Sequence, residues 1–212
     1  MPYMFTRATK LAPGSLLDSM AWAVKMTEKV NAVGGPQFKL WRRVLSPELG
    51  MISWSTVVEQ IEDLTKLEEK LIADGSYLEL LEEGQRFGDG NGANDALGQL
   101  IHVDPDGFES AQYASITLTQ LAPGMTAAGI GLGVEIAQKI KSITGSPSSF
   151  GASMTGPYGQ VVFIVLADSI GQLQAGNEAI SADADWIELL DDRASKVYVA
   201  GASERFIMRR VV

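Results

Sequence analysis

The chain has 212 residues, of which 46% are hydrophobic and 20% are charged, so it can bury an ordinary globular core. Its formal charge of −9, with no lysine/arginine cluster longer than an Arg-Arg pair, excludes nucleic acid as the main partner. The absence of cysteine excludes disulfides, thiolate nucleophiles and cysteine-ligated metal centres.

The sequence shows no targeting or membrane segment. The N-terminal stretch MPYMFTRATK lacks the continuous apolar region of a signal peptide. The longest apolar run, VVFIVLA at 161–167, is far shorter than the roughly 20 residues of a membrane helix. We therefore expect a cytoplasmic protein with no membrane partner, present as a monomer or a homodimer.

An internal repeat organises the chain. The tetrapeptide LAPG occurs at 11–14 and again at 121–124. The same offset of 110 pairs further positions over about fifty residues: Tyr3 with Tyr113, Val24 with Val134, Lys29 with Lys139, Gly35 with Gly145, and Pro47 with Pro157. An offset of 109 then aligns SYLELLEE (76–83) with DWIELLDD (185–192). The chain is therefore predicted to contain two copies of one unit, residues 1–107 and 108–212.

Each copy begins with the same two predicted elements. The alternating segments PYMFTRATK and QYASITLTQ have the period of two that is typical of a strand. A helix follows, with one apolar face in each copy: Met20, Val24, Thr27 and Val30, and correspondingly Ile130, Val134, Ala137 and Ile140.

The remaining elements also match between the copies. Two strands are joined by a turn at Pro47 or Pro157. A second helix covers 61–73 or 170–182, and Asp74 or Asp183 caps a short extra helix. Each copy closes with a strand, ALGQLIHV or SERFIMRRV. The order is β-α-β-β-α-β, which is that of ferredoxin-like domains.

A tandem pair of such units, each with helices on one face of its sheet, resembles the dimeric α+β barrel superfamily. That superfamily includes the antibiotic-biosynthesis monooxygenases and the NIPSNAP-like proteins. The resemblance implies an α+β protein in which two ferredoxin-like βαββαβ repeats pack sheet to sheet as an intrachain α+β barrel.

Two glycine-rich stretches have structural interpretations. GIGLGVE at 129–135 lacks the third glycine of a dinucleotide fingerprint and falls inside the first helix of the second copy, where small residues let the helix approach the sheet. FGDGNGANDALG at 87–98 does not match a calcium loop, because Asn94 and Leu100 stand where a glycine and an acid are needed. We expect an insertion loop at 84–96, and neither a metal nor a cofactor.

His102 is the only histidine. On the closing strand of the first copy it is a candidate general base or haem ligand. The alternative is a hydrogen-bonded or edge residue, and its partner in the repeat is Met208.

The strand faces predict a binding site. If Ala114, Ile116 and Leu118 meet the helices, the other face of that strand points inward. The same logic, carried through the repeat, places one set of side chains on the inner faces: Tyr3, Phe5, Arg7, Trp41, Arg43, Tyr113, Ser115, Thr117 and Ser153. No acidic residue occupies these inward positions.

This set leads to a functional hypothesis. The protein would be a small-molecule-binding barrel, acting as a cofactor-independent monooxygenase, isomerase or cyclase on a planar aromatic or anionic substrate. Arg7 and Arg43 would hold the anionic group, and Trp41, Phe5 and Tyr3 would stack on the ring. Opposite them would lie the small polar residues Ser115, Thr117 and Ser153, and Tyr113 or His102 would exchange a proton. The alternative is a non-catalytic scaffold that binds another protein.

Overall fold

The computed structural model describes residues 1–14, 16–104 and 108–212. Its strands are β1 (Tyr3–Leu11), β2 (Lys39–Val44), β3 (Met51–Val58), β4 (Gly88–His102), β5 (Tyr113–Gln120), β6 (Ser148–Ser153), β7 (Gln160–Ala167) and β8 (Glu204–Arg210). Its helices are α1 (Leu16–Ala32), α2 (Glu62–Ile72), α3 (Gly75–Gly84), α4 (Thr126–Thr144), α5 (Ile170–Ala182), α6 (Ala184–Leu189) and α7 (Ser195–Val197), with a π-helical turn at Leu190–Ala194. Among these helices, none is both long enough and apolar enough to span a membrane.

The strand order confirms the predicted fold class. Neighbouring strands follow the order β1-β3-β2-β8-β5-β7-β6-β4, and the sheet closes into a barrel. In each copy the first strand pairs with the third and the second with the third, all antiparallel. This is the ferredoxin-like arrangement, present twice in one chain.

Contacts divide the chain into two compact units. The first unit is Met1–Leu97 with Arg209–Val212, and the second is Gly98–Met208. The division falls inside β4, because Gly98–His102 pairs with β6. The predicted repeat boundary at 107 and 108 adjoins residues 105–107, which lie outside the described residues, and it stays a prediction.

In the first unit the core lies between α1 and the sheet. Trp22 of α1 packs edge-on against Trp54 of β3, with ring centroids 5.8 Å apart. The indole N–H of Trp54 donates to Thr27 Oγ1 at 2.9 Å, and that of Trp22 donates to the Leu80 carbonyl at 2.8 Å. These bonds satisfy the polar atoms that the two indoles bring into the core.

In the second unit the glycines of GIGLGVE lie on α4, as predicted. A Cβ at Gly133 would lie 2.2 Å from the ring of Phe150, and one at Gly129 would lie 2.2 Å from Leu121. Phe150 is fully buried beneath the helix. The glycines therefore allow close helix-to-sheet packing, and the interpretation as a helix face is confirmed.

The two predicted helix caps are also confirmed. Asp74 accepts hydrogen bonds from the backbone N–H groups of Ser76 and Tyr77 at the start of α3. Asp183 accepts from the backbone N–H of Trp186 at the start of α6. An aspartate at this position satisfies donors that the first helical turn leaves without partners.

The insertion loop predicted at 84–96 is wrong over most of its length. Residues from Gly88 onward belong to β4, a strand of 15 residues. Gly90 and Gly92 have positive φ angles of 90° and 76°, which interrupt the regular pleat of β4. The segment therefore lacks the alternating pattern by which a strand is recognised in a sequence. Asp95, expected in a loop, is thereby held beside β1.

Candidate functional site

The residues of β1 do not point in the predicted direction. Arg7 lies opposite Trp54 of β3, and directly opposed residues of antiparallel strands share a face. Trp54 packs against Trp22 of α1, so this is the helix-facing side. Tyr3 and Phe5 lie on the same face as Arg7, because alternate residues of a strand point to one side. Their predicted inward direction is therefore wrong.

Arg7 already has an acidic partner. Its Nε and Nη2 donate to the two carboxylate oxygens of Asp95, each at 2.7 Å. The hydrogen bond to Asp95 raises the pKa of the Arg7 guanidinium above its ordinary value. Phe5 lies 5.9 Å from the guanidinium carbon, in cation–π range. Asp95 was not predicted to pair with Arg7, because it fell in the predicted insertion loop.

Trp41 and Arg43 do point away from the helices. Trp41 lies opposite Ser53 of β3, and its indole N–H donates to Ser55 Oγ at 2.9 Å. Arg43 alternates to the same face and donates to Glu48 Oε2 at 3.2 Å. Glu48, in the turn after β2, is a second acidic partner that the strand pattern did not reveal.

The residues of β5 also face the helices. Thr117 lies opposite Phe163, which belongs to the core beneath α4. Ser115 Oγ accepts from Arg205 Nε at 3.1 Å, and Arg205 also donates to Asn177 of α5. The inward direction predicted for Ser115 and Thr117, and for Tyr113 on the same face, is wrong.

The reason is that apolar character does not mark the helix side of β5. Ala114 is 4% exposed and Ser115 is 3% exposed, so both faces of the strand are buried. When both faces are covered, the contrast between apolar and polar positions no longer identifies the one that meets the helices.

The other two predicted residues lie in the second unit. Ser153 alternates away from the helices, and its Oγ donates to Gln160 Oε1 at 3.3 Å. His102 is half-buried and lies opposite Phe150, after a register shift in β4. No hydrogen bond or ion pair joins the ring of His102 to another residue of the described chain. The catalytic roles of His102 and Tyr113 stay predictions.

A concave site in the first unit lies at the end of the β2–β3 hairpin. It is a cleft of about 650 Å³, within the range of roughly 300–1,000 Å³ that is usual for small-molecule sites. Its charged lining is Arg42 and Arg43, and we call it the Arg42–Arg43 cleft. Apolar side chains form most of the remainder, among them Leu11, Leu16, Met20, Leu45, Leu49 and Met51.

Arg42 gives this cleft a positive charge. It is half-buried and lies opposite Ile52, so its side chain leaves β2 on the helix-facing side. Within residues 1–14, 16–104 and 108–212 no hydrogen bond or ion pair engages its guanidinium. No carboxylate belongs to the described lining of the cleft. Arg42 therefore supplies a positive charge that the cleft itself does not balance.

Leu45 adds a conformational feature. It is the only described residue other than glycine with a positive φ, 48°, and its side chain is 75% exposed at the cleft. In the turn of the second copy the positive φ falls one repeat position later, at Gly156, where it is 87°. Leucine is disfavoured in this conformation by roughly 1–2 kcal/mol. Strain of this kind often marks a functional position.

Comparison with known proteins agrees with the geometry of the barrel. A "putative monooxygenase" from Fusobacterium nucleatum superposes with a TM-score of 0.72 at 9% identity, covering 100% of this chain and 93% of the other. An anthrone oxidase-like protein gives 0.70 at 14% identity, covering 100% and 91%. The chain has the dimeric α+β barrel fold.

A third structure, from Lactobacillus acidophilus, carries the same description as the first and gives a TM-score of 0.66 at 11% identity over 99% of this chain and 93% of the other. Neither a protein-family model nor a curated protein matches the sequence. At these identities the likeness establishes the fold, and the function has to be argued from the site.

Proposed function

We propose that the protein binds a small organic anion with a mostly apolar body in the Arg42–Arg43 cleft. The observation that carries this proposal is the charge of Arg42, which no carboxylate of the described lining balances, in a cleft whose other side chains are mostly apolar. A half-buried guanidinium without an acidic partner loses hydration without a compensating contact. A ligand carboxylate would restore that contact, with two hydrogen bonds to one planar group.

The two arginines that the sequence hypothesis assigned to the anion, Arg7 and Arg43, each donate to a carboxylate, so the proposal rests on Arg42 instead. Tyr3 and Phe5 lie on the helix-facing side of the sheet, while Trp41 lies on the opposite face and donates to Ser55. These aromatics therefore do not form one stacking surface. Arg42, by contrast, lines a cleft together with Arg43, and Arg7 does not belong to its lining.

A second candidate function is catalysis on the bound compound, as a cofactor-independent monooxygenase, isomerase or cyclase. The fold neighbours described as monooxygenases and as anthrone oxidase-like support it. The described lining of the cleft offers Ser46 and two arginines but neither a carboxylate nor an imidazole. Binding is therefore the function that the cleft supports best. Oxygen uptake after ligand addition, followed with an electrode, tests the oxygenase proposal.

Binding is tested by thermal unfolding with a panel of aliphatic and aromatic carboxylates. A ligand at one hundred times its dissociation constant adds about 2.7 kcal/mol of stability, a rise in Tm of roughly 5–10 °C for a chain of this size. Arg42→Gln should lose most of that rise. Lys25→Gln, on the exposed side of α1, makes the same charge change away from the cleft and should keep it. A panel without any binder would favour the scaffold hypothesis.

A further inference from the structure

We infer that the ligand of the Arg42–Arg43 cleft is an aliphatic carboxylate with a medium-length hydrocarbon chain. This inference rests on the proposed function and narrows it, because it chooses an alkyl chain over a planar ring. Three features of the cleft support the choice: the chemistry of its lining, the exposure of its leucines and the conformation of Leu45.

The described apolar lining is entirely aliphatic. It consists of leucine, isoleucine, valine, methionine and proline side chains, without a phenylalanine, tyrosine or tryptophan. Rings are usually held by aromatic side chains in offset or edge contacts. Leucine and the flexible methionines Met20 and Met51 adapt instead to a bent alkyl chain.

Three of the lining leucines are left open to solvent. Leu16, Leu45 and Leu49 are 57%, 75% and 66% exposed. Apolar surface of this extent around one concavity favours covering by an apolar group. An alkyl chain lying along the cleft would cover all three, with its carboxylate at Arg42.

Leu45 is retained in the first copy at a conformational cost. The turn of the second copy has its positive φ at a glycine, Gly156, one repeat position later. A glycine at Leu45 would remove the strain but also the side chain that lines the cleft. A leucine held in this conformation at the cleft suits contact with a bound alkyl chain.

Exposed leucines beside arginines are also found on proteins that bind anionic membranes. The formal charge of −9 opposes approach of this chain to such a surface. Leu17, at 86% exposure, lies beside the cleft without lining it. A free amphiphile therefore fits the cleft better than a bilayer does.

The test is calorimetric titration with hexanoate, octanoate and decanoate, and with 2-naphthoate as the aromatic probe, all below micelle-forming concentrations. Each added methylene should tighten Kd about fourfold while the chain still contacts the lining. The naphthoate should bind more weakly than decanoate. Equal or tighter binding of the naphthoate would overturn the inference but leave the proposed function intact, whereas failure of every probe would overturn both.

Two variants locate the chain. Leu16→Glu and Leu17→Glu place the same charge in the first turn of α1, where an acid suits the helix dipole, but only Leu16 lines the cleft. Leu16→Glu should weaken decanoate binding at least tenfold, and Leu17→Glu should leave it within twofold. Equal losses in both variants would contradict the location. Flotation with vesicles of anionic phospholipid should recover no protein, and recovery that requires Leu17 would assign the leucines to a membrane instead.

Discussion

Arg42 of β2 lies directly opposite Ile52 of β3, so the arginine side chain leaves the sheet on the face that the helices cover. Arg43, the next residue, leaves on the other face. Both border one cleft because β2 ends at Val44, two residues after Arg42. Both arginines therefore belong to the lining of one cleft although their side chains leave β2 on opposite faces.

The packing of α4 against the sheet predicts the effect of adding one methyl group. Gly133→Ala should destabilise the protein by about 1–3 kcal/mol, because the new Cβ would lie 2.2 Å from the Phe150 ring. Gly131→Ala lies on the same helix with nothing within 4 Å of its Cβ, and should stabilise by about 0.5–1 kcal/mol through helix propensity. Urea unfolding of both variants measures the difference. Equal effects would show that α4 does not approach Phe150 as described.

The positive φ of Leu45 predicts a gain in stability on substitution. Leu45→Gly should stabilise the unliganded protein by up to about 1 kcal/mol, since glycine adopts this conformation without strain. Leu49→Gly, in the same turn but without a positive φ, should not stabilise it. Thermal unfolding of the two variants separates strain from a general effect of removing an exposed leucine. A loss of stability in Leu45→Gly would mean that the leucine contributes packing in the free protein.

The cap of α3 predicts a pH dependence. The hydrogen bond from Lys29, at 2.6 Å, and then that from Ser76 lower the pKa of Asp74 from 3.8 to about 2. A depressed pKa contributes stability above pH 4, and this contribution is lost as the pH falls from about 4 to about 2. Asp74→Asn should therefore be less stable than the wild type at neutral pH, with the gap closing near pH 2.

Urea unfolding across this pH range measures that gap. Asp192→Asn removes an exposed carboxylate for which no ion pair occurs in the described chain, and should show no such pH-dependent gap. If the stability difference between Asp74→Asn and the wild type persisted unchanged at pH 2, its cause would be that the amide is a poorer helix cap. Loss of the ion pair with Lys29 would then not be the cause.

The helices and their limits were predictable from the sequence because their signals are local. The Asp74 and Asp183 caps, the small residues Gly129 and Gly133 and the repeat itself each need only a few neighbouring residues to be recognised. The structure confirms the caps, the helix glycines and the barrel fold.

The strand faces and the site depended on information that is not local. Arg7 lies on the helix-facing side because of its register against Trp54, which alternation along β1 alone does not determine. Asp95, the partner of Arg7, lies 88 residues away along the chain. Glu48 is only five residues from its partner Arg43, but it lies in a turn whose geometry the strand pattern does not determine. Arg42 was not predicted to be a site residue, because the alternation along β2 placed Arg43 instead on the face that was predicted to bind the ligand.

Two methionine substitutions separate a structural from a functional role for Arg42. Arg42→Met should leave the unliganded protein as stable as the wild type or more stable by up to about 1 kcal/mol, because methionine suits a lining that already contains Met20 and Met51. Arg43→Met removes the ion pair with Glu48, whose side chain is 58% exposed, and should lower the free energy of unfolding by up to about 1 kcal/mol. Urea unfolding without ligand measures both, and titration with decanoate should show binding lost in Arg42→Met. If Arg42→Met instead destabilises the free protein by more than about 2 kcal/mol, the arginine supports the fold through its own packing. In that case its charge would no longer indicate a ligand.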